Sequence, residues 1–350
     1  MPTTKKVSPR KARIAIAGLS HGHVHWILRK LQRSDLEVVG FYEPDAALAA
    51  RLAGQFGFSP ELVYSDLDTM LDAVKPDAVA AFGSIYAHLA AVEACAPRKI
   101  DVMVEKPLAV SLEHAERMAA LARQHGIRLI TNYETTWYAS SYAAYRSVID
   151  EGSIGEIRKV VVHDGHAGPV EIGCGPDFLN WLTDPVLNGG GAVVDFGCYG
   201  ANLITWLMGG QAPLTVTGVL QTLKPAVYPK VDDEATILLT YPHAQGIIQG
   251  SWNWPIDRKD MEIYGQTGYF VAVDDRTIRT RSQGEAKEKV ARLAPAPARV
   301  RDPFAYLAAL GRGQETLTPG NLWSLENNLT VVRILDAARE SARTGKTITL

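Results

Sequence analysis

The first 131 residues alternate short apolar runs with stretches of helical periodicity, and this alternation restricts the fold more than any other feature. Strands that alternate with helices of about 10–15 residues form βαβ units with parallel strands and helices on both faces of the sheet. The sequence therefore predicts an α/β protein with a doubly wound parallel sheet over residues 1–131. The predicted strands are 14–18, 37–42, 78–82, 100–104 and 127–131, and the predicted helices are 25–31, 44–56, 88–96 and Leu112–His125.

The pattern changes after residue 131, where longer strands follow one another with short connections. Such connections are typical of antiparallel pairing. We therefore expect a second α/β domain over residues 132–350 with a large, open, mostly antiparallel sheet. Its predicted strands are 157–163, 214–223, 235–241, 246–252, 261–264 and 269–273, and its predicted helices are 142–149, 194–208 and a last one that ends before Gly345.

Composition excludes several classes of function. The chain has 350 residues, 47% of them hydrophobic, and a formal net charge of -2, which is typical of a globular protein with no general attraction for nucleic acid. No apolar run approaches the roughly 18 residues of a membrane span, so we expect no membrane partner. Three scattered cysteines without metal-ligand spacing favour a cytoplasmic location.

The turn after the first strand has the small residues of a dinucleotide-binding turn. Backbone amides approach a pyrophosphate most closely where side chains are small. Gly18 occupies the first glycine position of the G-x-G-x-x-G pattern, Ser20 and His23 the second and third, and Gly22 compensates in part. His21 is expected beside the pyrophosphate or nicotinamide.

Glu43 ends the second predicted strand, where a carboxylate accepts hydrogen bonds from the adenosine ribose. A carboxylate repels a 2′-phosphate, so the sequence favours NAD over NADP as the cofactor. The alternative is that Glu43 is only an acidic residue at the start of the next helix.

His21, His23 and His25 form an H-x-H-x-H pattern that suggests a metal site. Alternate residues converge on an extended strand but diverge on a helix, and these histidines fall on a turn and a helix start. We therefore expect no metal.

We expect the catalytic site where Lys106, at the carboxyl end of a buried strand, meets the helix that follows the three glycines at 189–191. On that helix, Asp195, Tyr199 and Asn202 have the spacing of a single face, and their neighbours include no Lys or Glu, which favours a cleft over solvent. Hydride transfer at an alcohol carbon needs a proton relay at its oxygen. We expect Tyr199 to be the general acid/base, with Lys106 orienting the substrate and stabilising the phenolate, and with Asp195 orienting either the lysine or a sugar hydroxyl. If Lys106 itself carries the proton, Tyr199 only binds substrate.

Substrate specificity is expected in the irregular stretch 164–188, where Trp181 is placed to stack on a sugar ring or to anchor the packing. Asn132 and Tyr133 follow the last strand of the first domain, within reach of nicotinamide or substrate. His163 and His166 are further candidates for contacts with substrate hydroxyls, as is Asn202 on the helix.

The chain resembles the Gfo/Idh/MocA oxidoreductase family. The resemblance rests on Glu105-Lys106-Pro107, on the segment 83–88, which ends in a histidine as in relatives, and on the segment 189–199. It implies a Rossmann domain with Gly83, Ser84, His88 and Glu105 at the cofactor, and catalytic roles for Lys106, Asp195 and Tyr199. It also implies a homodimer or homotetramer assembled through the C-terminal sheet.

These features together predict an NAD(P)-dependent oxidoreductase that acts on a secondary hydroxyl or carbonyl of a small-molecule sugar, cyclitol or related diol. Two alternatives stay open. One is a glycosidase that requires NAD for transient oxidation followed by elimination. The other is a cofactor-sensing regulator without turnover.

Overall fold

The computed structural model describes residues 10–296 and 302–350. Its first sheet has six parallel strands in the order β3-β2-β1-β4-β5-β6, which is the strand order of a doubly wound dinucleotide-binding fold. The strands are β1 Ala12–Ala17, β2 Leu36–Tyr42, β3 Val63–Tyr64, β4 Ala78–Ala81, β5 Asp101–Glu105 and β6 Leu129–Asn132. The helices between them are α1 His25–Leu28, α2 Ala46–Phe56, α3 Leu67–Val74, α4 Ala87–Cys95 and α5 Leu112–His125.

The second sheet has nine strands in the order β14-β13-β12-β11-β7-β10-β9-β8-β15, and its pairs are antiparallel except for the parallel pair β7–β10. The strands are β7 Ile157–Gly165, β8 Thr215–Gln221, β9 Glu234–Thr240, β10 Gln245–Ser251, β11 Arg258–Gly265, β12 Gly268–Ala272, β13 Thr277–Ser282, β14 Lys289–Arg292 and β15 Ile348–Thr349. The helices are α6 Ala139–Tyr145, α7 Pro176–Leu182, α8 Ala192–Asp195, α9 Gly197–Leu207, α10 Pro303–Gly311 and α11 Leu325–Thr344. The predicted fold class is therefore confirmed.

The predicted helix over 194–208 is in fact two helices, because α8 ends at Asp195 and α9 begins at Gly197. The helix predicted over 25–31 is only four residues long. Several elements were not predicted from the sequence: β3, α3, α7, β13, β14, α10 and β15.

Packing between the two sheets positions the site. Helix α9 covers one face of the second sheet against β7 and β10, and α11 bridges α9 and α5. Helix α10 packs on β1, β2 and β4 of the first sheet, although it lies far beyond residue 131 in the sequence. The domain boundary at 131/132 stays a prediction, since the last two long helices return to the first sheet.

Within residues 10–296 and 302–350, the helices are all too short or too polar to cross a membrane.

Candidate active site

A cleft of about 950 Å³ lies between the two sheets, and a smaller cavity of about 300 Å³ lies beside the turn after β1. Both contain residues that the sequence assigned to cofactor or substrate. The cleft is lined by His21, Gly22, His23, Lys106, His166, Asp195 and Tyr199 among others, and the smaller cavity by Gly18, Ser20, Glu43, Gly83, Ser84, His88 and Trp181.

Lys106 follows β5 and reaches across to the second domain. Its ammonium donates a hydrogen bond to the backbone carbonyl of Asp195 (2.9 Å) and another to the carboxylate Oδ1 of the same residue. An ammonium has three donor hydrogens, so one is left for a ligand in the cleft. Burial alone would lower the pKa of Lys106, but the neighbouring Asp195 outweighs burial and raises it. Lys106 is therefore a cation at neutral pH.

The helix break at Phe196 makes this contact possible. In a continuous helix the amide of Tyr199 would donate to the carbonyl of Asp195; here it donates to the carbonyl of Phe196 instead (3.1 Å). The carbonyl of Asp195 is thus free to accept from Lys106. The indole Nε1 of Trp252 donates to Oδ2 of Asp195 (3.0 Å). Burial alone would raise the pKa of Asp195, but Lys106 and this indole lower it.

The run of three glycines before α8 allows a close approach between two chain segments. A Cβ atom on Gly191 would lie 1.8 Å from the backbone oxygen of Asp232. The carboxylate of Asp232 accepts from the amides of Gly191 (2.9 Å) and Val193 (2.7 Å), which satisfies the first turn of α8. The glycine run therefore fixes the start of the short helix that ends at Asp195.

Tyr199 lies between two ammonium groups. The centre of its ring is 5.2 Å from Nζ of Lys106 and 4.4 Å from Nζ of Lys259. Its pKa is nevertheless raised well above the usual value, first by burial and then by the carboxylates of Asp164 and Glu134. The expectation that Lys106 stabilises a phenolate is therefore wrong in direction. At neutral pH, Tyr199 is therefore a phenol, a group that can donate a hydrogen bond.

Glu105 is the centre of a buried polar network below the cleft. It accepts hydrogen bonds from Nδ1 of His23 (3.0 Å) and Nδ2 of Asn132 (2.6 Å), and Nε2 of His21 lies 3.9 Å away. Burial alone would raise the pKa of Glu105, but the two histidines and Asn132 outweigh it and lower the pKa to about 2. Burial also keeps His21 neutral, by lowering its pKa. Glu105 and Asn132 thus support the cleft from behind.

The structure corrects one step of the argument against a metal. His21 and His23 do converge, with Glu105 rather than His25 as the third group, and their possible ligand atoms lie within 4.8 Å of one another. Nδ1 of His21 accepts a hydrogen bond from the amide of His23 (3.0 Å), so in the neutral ring Nε2 carries the proton. A histidine that binds metal through Nε2 normally donates from its other nitrogen. The absence of a metal stays a prediction.

The turn after β1 is shaped for close backbone approach. Gly18 has a φ of 84°, and a Cβ there would lie 2.6 Å from the amide nitrogen of Gly83. The carboxylate of Glu43 accepts from the amides of Leu19 (2.8 Å) and Asp45 (3.0 Å). Asp45 is the residue that caps α2, so Glu43 is not merely the acidic residue of a helix start.

A dinucleotide fits the chemistry of the smaller cavity. Nε2 of His88 and Nε1 of Trp181 are buried and have no hydrogen-bond partner among the described residues. Burial lowers the pKa of His88 to about 4, so its ring is neutral. Two buried polar nitrogens without partners, beside a small-residue turn and a carboxylate, suit the adenosine half of a dinucleotide.

Trp181 lies at a different place from the one expected of a sugar-stacking residue. The ring centres of Phe178 and Trp181 on α7 lie 5.1 and 5.5 Å from that of His21, and Trp181 lines the smaller cavity. The amide of Tyr86 donates to the carbonyl of Leu187 (3.0 Å) at the end of this segment. The stretch 164–188 thus covers the turn after β1 as well as the cleft.

Three of the expected substrate contacts lie in the walls behind the cleft. Tyr133 is fully buried with its ring edge against Tyr199 (5.4 Å between ring centres). His163 pairs with Asp260 (3.2 Å), and Asn202 donates to the carbonyl of Leu322 (2.8 Å). The prediction that Asn202 faces substrate is wrong, because the break at Phe196 removes it from the face of Asp195. His166 does line the cleft, and its Nδ1 accepts from the amide of Gly168 (2.9 Å).

Sequence reasoning missed four residues of the site. Trp252, expected only in the core or at an interface, positions Asp195. Lys259, Glu134 and Asp164 line the cleft beside Tyr199. Lys259 and Asp164 lie directly opposite each other where β11 pairs with β7. The two strands are far apart in the sequence, so no local pattern reveals how they are aligned. Asp164 begins the stretch 164–188 in which substrate specificity was expected, but its side chain was not singled out.

Comparisons with known proteins agree with this geometry. Residues 12–133 match the oxidoreductase family with an NAD-binding Rossmann fold, and residues 142–271 match the Gfo/Idh/MocA C-terminal domain. A trans-1,2-dihydrobenzene-1,2-diol dehydrogenase of Bos taurus is 28% identical over 307 residues, covering 86% of this chain and 84% of its own. A D-xylose 1-dehydrogenase [NADP(+)] of Haloarcula marismortui is 26% identical over 279 residues, covering 71% and 76%.

Among solved structures, an inositol dehydrogenase homolog from Azotobacter vinelandii in complex with NAD+ superposes with a TM-score of 0.83. The alignment covers all of both chains at 20% sequence identity. At this identity the likeness shows a shared fold.

Proposed function

Because the chain belongs to the Gfo/Idh/MocA family of NAD-binding oxidoreductases, we propose that it transfers a hydride between nicotinamide and a secondary hydroxyl or carbonyl carbon of a sugar, cyclitol or related diol. The single observation that carries the proposal is the Lys106 ammonium, held at the cleft by two hydrogen bonds that it donates to Asp195. The names of the relatives, which include a dihydrodiol and a D-xylose dehydrogenase, support this substrate class.

The bound nicotinamide supplies the hydride acceptor or donor, and the chain supplies binding, orientation and proton transfer. We expect the adenosine half in the cavity of Gly18, Gly83 and His88. Glu43 at this cavity favours NAD, because a carboxylate repels a 2′-phosphate. The preference for NAD over NADP is part of the proposal.

Lys106 is proposed as the group that exchanges a proton with the substrate oxygen, which was the second of the two assignments raised by the sequence. In reduction its third hydrogen passes to the carbonyl oxygen, in oxidation the neutral amine takes the hydroxyl proton, and the charge of the ammonium stabilises an oxyanion. Tyr199 donates a hydrogen bond to the same oxygen, because burial and the nearby carboxylates keep it a phenol. Asp195 orients the ammonium and Trp252 orients Asp195.

The glycosidase and the regulator, both raised by the sequence, are not favoured. The named relatives are dehydrogenases and a reductase, and the lysine, aspartate and tyrosine of the site are brought together as turnover requires.

Self-association through the second sheet and a cytoplasmic location are further parts of the proposal. Val219 and Tyr264 on this sheet are exposed by 57% and 38%. In the middle of the sheet, Leu238 and Ile247 are paired across β9 and β10 and are only half-buried. A second copy would cover this face. The three free cysteines suit a reducing compartment.

The test combines a substrate panel with a lysine substitution. Purified protein is given NAD or NADP and a panel of aldoses, cyclitols and vicinal diols, and formation of reduced nicotinamide is followed. Lys106→Met should lower kcat/KM by roughly a hundredfold or more while NAD affinity stays within several-fold. Lys287→Met, at an exposed lysine, is the control. Unchanged turnover in Lys106→Met, or a wild type that reduces neither cofactor with any compound, contradicts the proposal.

A further inference from the structure

A second charged cluster lies in the cleft on the side of Tyr199 that belongs to the second sheet. It consists of Lys259 on β11, Glu134 after β6 and Asp164 near the end of β7. Nζ of Lys259 donates to Oε2 of Glu134 (2.6 Å) and lies 3.8 Å from Oδ1 of Asp164. The proposed hydride transfer uses none of these three side chains.

Asp164 is the member of this cluster whose hydrogen bonding is incomplete. Its residue is only 2% exposed, and Oδ2 has no hydrogen-bond partner within the part of the chain that the structure describes. The ammonium at 3.8 Å from Oδ1 is beyond hydrogen-bond distance. A buried carboxyl group without a hydrogen bond is unfavourable, and native proteins almost always satisfy one. Asp195, by contrast, has a partner on each carboxylate oxygen.

The state of the Asp164 carboxyl group suits a hydroxyl ligand. Burial above all raises its pKa to about 8, although Lys259 and Lys106 act in the opposite direction, and Asp195 and Glu134 raise it further. Near neutral pH a protonated carboxyl group is common at this site, and such a group both donates and accepts a hydrogen bond. A hydroxyl group has the same two capacities.

The position of Asp164 relative to Lys106 indicates which part of a ligand it meets. Lys106, Tyr199 and Asp164 all line the same cleft. The ammonium groups of Lys106 and Lys259 both lie close to the Tyr199 ring, at 5.2 and 4.4 Å from its centre. A small substrate with its reacting oxygen at Lys106 therefore has a neighbouring part beside Asp164 and Lys259.

We propose that Asp164 is a specificity-determining residue that binds a second hydroxyl group of the substrate, next to the carbon that is oxidised or reduced. The inference rests on the proposed function and deepens it. Without a ligand, Asp164 lacks a hydrogen bond that a second substrate hydroxyl supplies. This hydrogen bond selects polyhydroxylated substrates over alcohols with a single hydroxyl. Glu134 and Lys259 position the carboxyl group and share the polar surroundings of that hydroxyl.

The test compares two substrates across matched variants. The probes are the best substrate of the polyol panel and its deoxy analogue, which lacks one hydroxyl next to the reacting carbon. Leaving a buried polar group without its hydrogen bond costs about 1–3 kcal/mol, or about 5- to 150-fold in kcat/KM. Wild type should prefer the full polyol by that factor. Asp164→Ala should reduce the preference to within about threefold, and Asp164→Asn, which keeps one donor and one acceptor, should retain part of it.

Asp257→Asn removes an exposed carboxyl group from the rim of the same cleft and should leave the preference unchanged. NAD affinity, measured by fluorescence titration, reports whether each variant is folded. A folded Asp164→Ala variant with the full wild-type preference overturns the inference and leaves the proposed function intact. A wild type without activity on any polyol overturns both.

Discussion

Replacing Asp164 by asparagine is expected to stabilise the protein increasingly as the pH rises. The folded state raises the pKa of this carboxyl group from 3.8 to about 8, with burial as the main cause. Between these two values the folded chain binds a proton that the unfolded chain has released, so ionisation of Asp164 opposes folding. Asparagine has nearly the same shape and does not titrate.

The magnitude follows from the shift. One pKa unit corresponds to about 1.4 kcal/mol, so the advantage of Asp164→Asn over wild type should grow by about 1.4 kcal/mol per pH unit from about pH 4 to about pH 8. The total over that range is about 6 kcal/mol, and the difference should be constant above and below it. The sign is the opposite of that for an ordinary ion-paired aspartate, whose stabilising effect is lost as the pH falls.

The measurement is equilibrium unfolding in urea at a series of pH values, followed by tryptophan fluorescence without substrate. Asp257→Asn serves as the matched control, because it makes the same change at an exposed carboxyl group of the same cleft. If the difference between Asp164→Asn and wild type is flat from about pH 5 to about pH 8, then Asp164 is ionised in the folded protein as in the unfolded one. That result would refute the reasoning.

Two other substitutions test the supports of the site. Trp252→Phe removes the 3.0 Å hydrogen bond to Oδ2 of Asp195 while keeping an aromatic ring. We expect a loss of about 1–3 kcal/mol in the free energy of unfolding and a lower kcat with NAD affinity unchanged. A wild-type kcat would show that the indole does not position Asp195. Glu43→Gln removes the negative charge at the smaller cavity, so the kcat/KM ratio of NADP to NAD should rise by about tenfold or more; an unchanged ratio would exclude a ribose contact.

Five of the six strands of the first sheet could be predicted because their information is local. Strand β4 and the centre of β5, residues 102–104, are buried on both faces, so each is a continuous apolar run that stands out from the helices around it. Elements without such contrast were missed. Strand β13 reads Thr-Ile-Arg-Thr-Arg-Ser and is half-exposed near the sheet edge, and α10 is almost entirely buried, so neither shows the periodicity of a one-sided element.

The geometry around Asp195 could not be predicted because tertiary contacts override local helix formation. Residues 194–208 were predicted as one helix, and the residues on both sides of Phe196 are helical. The break transfers the carbonyl of Asp195 from an amide four residues later to the ammonium of Lys106, which is 89 residues earlier. Spacing at i, i+4 and i+7 therefore misplaced Asn202, while the contact of Asp195 with Lys106, one of the two that the sequence offered, is present.

The expected phenolate at Tyr199 failed for a reason that residue types cannot reveal. A cation lowers the pKa of a phenol only to the extent that its charge is not already neutralised. The structure places two ammonium groups at this ring, but Lys106 is bound by Asp195 and Lys259 by Glu134. Each lysine therefore brings a carboxylate with it, and the buried Asp164 adds another acid. Burial is then the largest influence on the pKa of Tyr199 and keeps this residue a phenol, so proton exchange at the reacting oxygen is proposed for Lys106.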